Sequence, residues 1–169
     1  MRAIKVVPVV VTTLLILISC SETTNSSEEL KTIVEQLKQD SDHQFLKTLR
    51  PSESDIKSIF ATEEAQELVL AFSNSRWDII DQVDQNSMKP TSDDATLVIL
   101  YATKDELINA TTNNISEDYM KLAAHLNDAV TLYGIQYLNA DGTEQKKREA
   151  FFKVNEKWVL IPRAFAAFE

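Results

Sequence analysis

The chain has 169 residues, with 26 Asp and Glu against 17 Lys and Arg, for a formal net charge of −9. It holds 2 Gly, 2 His and 1 Cys. Gly134 and Gly142 lie outside any glycine-rich run, so no phosphate-cradling loop is present. One cysteine forms no internal disulfide or cysteine-rich zinc site, and two histidines do not make a three-histidine cage. The acidic balance argues against binding a nucleic-acid backbone, which relies on Lys and Arg to release counterions. No cofactor is implied, and the length suits one domain with its own core.

Arg2 and Lys5 are the only charged side chains before Cys20, and an apolar stretch follows them. This is the pattern of a secretory signal, short of the roughly 20 apolar residues of a bilayer span. The stretch ends in Leu17-Ile18-Ser19-Cys20, which resembles the lipobox of bacterial lipoproteins. The resemblance implies cleavage before Cys20, a thioether-linked diacylglycerol on its sulfur and an acylated amine. Residues 1–19 are then a signal peptide, residues 20–27 a polar tether carrying the lipidated Cys20, and residues 28–169 a single globular domain. Removing residues 1–19 takes away two basic and no acidic residues, so the net charge moves from −9 to −11. Several acyl chains anchor stably where one is marginal. Residue 21 is Ser rather than Asp, so the resemblance points to the outer membrane of a Gram-negative envelope, with the face left open.

Within the globular part, Ser26-Ser27-Glu28-Glu29 reads as a capping box. Leu30, Ile33, Val34 and Leu37 follow as a helical stripe to about Asp40. Phe45, Leu46 and Leu49 form an apolar patch before Pro51. Ser52-Glu53-Ser54-Asp55 starts a second helix, and Thr62 with Glu63 and Glu64 a third. The third helix has a stripe of Ala65, Leu68, Val69 and Phe72 with Trp77 off it, and extends toward Val83. Residues 85–94 read as a polar loop. Residues 95–101 are a continuous β-rich run, expected to be covered on both faces. Thr103-Lys104-Asp105-Glu106 opens a short helix that ends at Asn113-Asn114. Ser116 caps another, striped by Tyr119, Leu122, Ala123 and Leu126. Strands at 130–138, 149–154 and 158–161 complete a meander, turning at Asp141-Gly142 and Asn155-Glu156. The expected class is α+β, with N-terminal helices on one face of an antiparallel sheet of about four strands.

The segment Lys153-Val154-Asn155-Glu156-Lys157-Trp158-Val159-Leu160 resembles the terminal hairpin of small secreted α+β domains of the nuclear transport factor 2-like type. That resemblance implies a cone-like space between sheet and helices and transfers no catalytic residue.

Among residues suited to chemistry, His43 stands in an acidic loop and His125 beside Leu126, off the helical stripe; both read as structural. Asp78, Asp81 and Asp84 recur every three residues and form a candidate acidic surface for a basic protein partner. They lack the alternate spacing and glycine of a calcium loop. Lys146-Lys147-Arg148 reads as edge protection for a strand. Asn109-Ala110-Thr111 and Asn114-Ile115-Ser116 fit the glycosylation sequon but are discounted in a bacterial lipoprotein. The apolar end, with Phe165 and Phe168, is expected to dock on the domain. The leading expectation is a lipid-anchored, non-enzymatic binding or accessory module, of inhibitor or immunity type if the acidic surface is used. The alternative is small-ligand binding or acid–base catalysis in a pocket lined by Tyr101, Tyr133, Tyr137 and Trp158.

Overall fold

The structure is a computed structural model that describes residues 18–112 and 114–169. Most of the expected signal segment, the Cys20 side chain and Asn113 lie outside the described residues. Among the described residues are six α-helices and four strands: α1 (Ile18–Gln39), α2 (Gln44–Thr48), α3 (Glu53–Ile59), α4 (Glu63–Trp77), β1 (Thr96–Thr103), α5 (Lys104–Ile108), α6 (Glu117–Leu122), β2 (Thr131–Leu138), β3 (Glu144–Val154) and β4 (Lys157–Leu160). The strands form one antiparallel sheet in the order β1-β2-β3-β4. The fold is α+β.

Three helix starts are set by local capping. Ser52 and Asp55 form a reciprocal capping box at α3, and Thr103 and Glu106 form one at α5. Thr62 Oγ1 accepts the Ala65 amide at α4. α1 begins earlier than the sequence suggests. It runs unbroken from Ile18 through residues 20–27, expected as a tether, and Ser26 is a buried mid-helix residue. Ser26 lies one turn before Leu30 on the same face and hydrogen-bonds Tyr133, so a tertiary contact outweighs the linker-like composition.

Strand register assigns the two faces of the sheet, because partners across an antiparallel ladder share a face. Tyr101, Tyr133, Phe151, Lys153, Trp158 and Leu160 lie on one face, and Leu132, Glu149, Phe152 and Val159 on the other. α1 covers the first face, where Glu29 reaches Lys153 and Trp158. α3 and α6 cover the second. There Phe60, the C-cap of α3, meets Phe152 at 6.5 Å, and Ser116 and Tyr119 meet Glu149. The sheet is therefore a middle layer with helices on both faces, where helices on one face were expected. The C-terminal rings are docked, Phe165 edge-on to Tyr119 at 5.0 Å and Phe168 stacked on His125 at 3.8 Å.

Two further differences concern phase and position. The buried stripe of α4 is Ala65, Val69, Ser73 and Trp77, so Trp77 is core and Leu68 is 44% exposed. α4 packs on α3 and the C-terminal 3₁₀ turn, Ala164–Phe168, and helical period alone does not fix which row is buried there. The helix stops at Trp77, and Ile80–Gln82 is a separate 3₁₀ turn. β1, expected to be covered on both faces, is an edge strand with Leu97, Val98 and Ile99 only partly buried. A β-bulge at Tyr133/Gly134 leaves Ala150 without a partner on β2, at φ 98.

Asp55 joins two parts of the fold. Its carboxylate accepts the Ser52 backbone N–H at 2.8 Å and the Lys157 ammonium at 2.9 Å. Burial raises its pKa, but the bonds from Ser52 and Lys157 outweigh it and hold the carboxyl below its ordinary value. Asp55→Ala is expected to lower stability by about 2 kcal/mol through loss of the cap and a buried charge-assisted bond. Urea denaturation of the variant against the wild type measures this.

Candidate functional site

An open groove of about 540 Å³ lies on the α1 side of the sheet. Tyr101 of β1 and Tyr133 of β2 form its aromatic wall, directly paired in the ladder with ring centroids 6.3 Å apart. Thr103, Thr131 and Lys153 continue the wall, and Asn25 and Ser26 of α1 overhang it. Glu106, Asn155 and Glu156 also line it. Tyr133 is buried, whereas Tyr101 is 47% exposed and presents its ring to solvent.

Glu29, outside the lining, holds Lys153 in place. One of its oxygens accepts the Lys153 ammonium at 2.8 Å and the Trp158 indole N–H at 3.1 Å. Hydrogen bonding from Lys153 and then from Trp158 holds the Glu29 carboxyl below its ordinary pKa. The same pair raises Lys153 above the usual lysine value. Tyr133 is also raised, by burial. A general acid or base at neutral pH needs a pKa near 7. All three shifts run away from it, which leaves a fixed ammonium, a fixed carboxylate and a neutral phenol. Such groups can hydrogen-bond and make ring contacts.

The four aromatic residues expected to line one pocket divide. Tyr101 and Tyr133 line the groove, and Trp158 packs edge-on against Tyr133 at 4.9 Å from behind. Tyr137 is elsewhere, buried, with its hydroxyl donating to the Met88 carbonyl at 3.1 Å. Burial pushes its phenol up to about 12.

The aspartates do not share a helix face. Asp78 caps the end of α4 and lies 3.4 Å from Arg50; Asp81 is in the 3₁₀ turn, 2.6 Å from Lys47. Asp84 is in the following loop and accepts the Asn86 amide at 2.9 Å. Each is engaged within the chain. Among the described residues no group of three or more His, Cys, Asp or Glu is placed to hold a metal. His43 is buried at φ 60 with Nε2 unbonded, and His125 is half-buried against Phe168.

Lys153, Glu29, Glu106, Asn155 and Glu156 were not marked as site residues by the sequence. The turn was the one available signal: Asn155 and Glu156 take φ values of 50 and 60. The second suits glycine far better than glutamate. The Glu156 carboxylate nevertheless sits 3.6 Å from Lys153 at the groove rim.

No protein-family model, curated protein or solved structure matches the chain.

Two outcomes are expected. Glu156→Gly should raise stability by about 1 kcal/mol, by relieving the left-handed strain, as read from thermal unfolding. Because the folded Glu29 pKa is depressed, its contribution is complete above the ordinary value of 4.5 and is lost as pH falls through the lower folded value. Glu29→Gln should therefore flatten the dependence of the melting temperature on pH below about 4.5. An unchanged acid limb would show that Glu29 does not contribute to it.

Proposed function

We propose that the chain is a lipid-anchored protein of the bacterial cell envelope, held by acylated Cys20 in the outer membrane, that works as a binding module rather than a catalyst. Residues 1–19 are the removed signal peptide. The observation that carries the binding reading is the geometry of the groove: the Tyr101 ring lies beside Tyr133, and Lys153, Asn155, Glu106 and Glu156 line the same surface. The groove therefore suits a small polar ligand that stacks on Tyr101 and hydrogen-bonds to Lys153, Asn155 and the rim carboxylates. An inhibitor-like role through Asp78, Asp81 and Asp84 has less support, because Lys47 and Arg50 already occupy two of them.

The anchor and the groove are close. Cys20 is five residues before Asn25 on the helix, about 8 Å of rise. An acylated Cys20 then holds the groove near the bilayer surface instead of on a long flexible tether. No helix among the described residues is long and apolar enough to cross a membrane.

The test has two arms. Intact-mass spectrometry of the exported protein should give a chain starting at Cys20 with added acyl mass, and Cys20→Ser should leave the membrane fraction. An unmodified thiol on the exported chain would refute the anchor. Native mass spectrometry of the acylated protein from its own membranes should show a bound small molecule that Tyr101→Ala loses. An equal ligand load in the variant would refute the groove.

A further inference from the structure

The sheet has three stretches of free edge, and they are treated differently. β4 is only four residues long, carries Lys157, and has its Leu160 amide taken by the Leu49 carbonyl. β3 outruns β4, which pairs only with residues 151–154. The part left over bears Glu144, Lys146, Lys147, Arg148 and Glu149. Short length, covering and charge are the usual means of keeping an edge from pairing with another chain.

β1 has none of them. Thr96-Leu97-Val98-Ile99-Leu100-Tyr101-Ala102-Thr103 contains no charge and no proline, and its register with β2 is unbroken by a bulge. Its composition has high strand propensity throughout. Apart from the ladder to β2, no backbone hydrogen bond joins residues 96–102 to another described residue. Leu97, Val98 and Ile99 remain partly open. An uncharged edge of eight residues with unbroken register is a template for one more strand.

The flanks indicate what that strand carries. Asp93 and Asp94 precede β1 and Asp105 and Glu106 follow it, all four exposed. The nearby Lys104 is already paired with Asp128 at 2.8 Å. A second copy of this chain, paired antiparallel about a two-fold axis, would set Asp93 and Asp94 against Asp105 and Glu106 at both ends. Like charges placed opposite each other oppose that pairing, and so does the net charge of −9.

We infer that β1 is a docking edge for an extended segment of another protein, one that adds a fifth strand and carries Lys or Arg at both ends of an uncharged, strand-forming core. Main-chain hydrogen bonds supply the pairing, and the two carboxylate clusters set its register and select its charge. This goes beyond the groove reading, which uses side chains on one face of the sheet and none of the outward backbone groups of β1.

A synthetic peptide of alternating Val and Thr, long enough to span β1, with a Lys pair at each end and a fluorophore, is the probe. Fluorescence anisotropy with the purified chain should show saturable binding. Hydrogen exchange should slow at the amides of residues 97–101. Binding should be roughly tenfold weaker when the peptide's Lys pairs are replaced by Glu, and weaker also for the doubly substituted Asp93→Asn, Asp94→Asn protein. Ile99→Lys, which charges the edge, should reduce binding while circular dichroism stays unchanged. A peptide with the same Lys flanks and prolines in its core should not bind. The inference is overturned by the absence of saturable binding up to about 1 mM, or by equal binding of the proline peptide, which would mean charge attraction alone. It is also overturned if light scattering shows a dimer that Ile99→Lys dissociates, since the occupant is then a second copy. Such results leave the tests on Cys20 and Tyr101 standing.

Discussion

The terminal hairpin is gripped from both faces by carboxylates that arrive from the other end of the chain. Glu29 of α1 takes Lys153 and Trp158 on one face, and Asp55 of α3 takes Lys157 on the other. Both acids are held ionised by the bonds they accept. Between them lie Phe151, Phe152 and Val159, all fully buried. Aromatic and aliphatic burial supplies most of the driving force for such a core, but it is non-directional. The two charge-assisted contacts add direction and set α1 and α3 at fixed positions over the hairpin. The groove follows from this, because α1 overhangs it and Glu29 holds the lining Lys153 in place.

How much of this was readable depended on the range of the interaction. Ser52, Thr62 and Thr103 mark true helix starts because a cap is completed within three residues. The β-branched and aromatic runs made β1, β2, β4 and the second half of β3 legible, whereas β3 begins at Glu144 in a charged stretch, ahead of the expected Glu149. Ser26 was misread because Ser, Thr and Asn favour caps and linkers, and only the distant Tyr133 makes it a buried helix residue. Trp77 was misplaced because the third helix has two apolar rows, and the tertiary neighbours choose between them. The apolar run of β1 looked like an interior strand, but order within a sheet is set by the connections rather than by local hydropathy.

The candidate site was half legible for the same reason. Tyr101 and Tyr133 are β residues whose ring character is visible in the sequence, and register brings them side by side. Tyr137 has the same alternation from Tyr133 but lies four residues along β2, under the loop of Met88. The polar half of the groove comes from α1, the α5 cap and the last turn, which are separated widely in sequence. No spacing rule joins Glu29 to Lys153. The periodic aspartates, by contrast, were conspicuous in sequence and are dispersed over a helix end, a 3₁₀ turn and a loop.

The grip on the last hairpin also has a temporal side. Glu29 and Trp158 are 129 positions apart, and Asp55 and Lys157 are 102 apart. Contacts of such span are slow to form, because the intervening chain must be closed into a loop first. α1 precedes the hairpin in the chain, so its binding surface is not complete until the hairpin exists. A nascent chain cut short before Lys153 has neither latch and no fourth strand. The closing step of the fold thus waits on the hairpin.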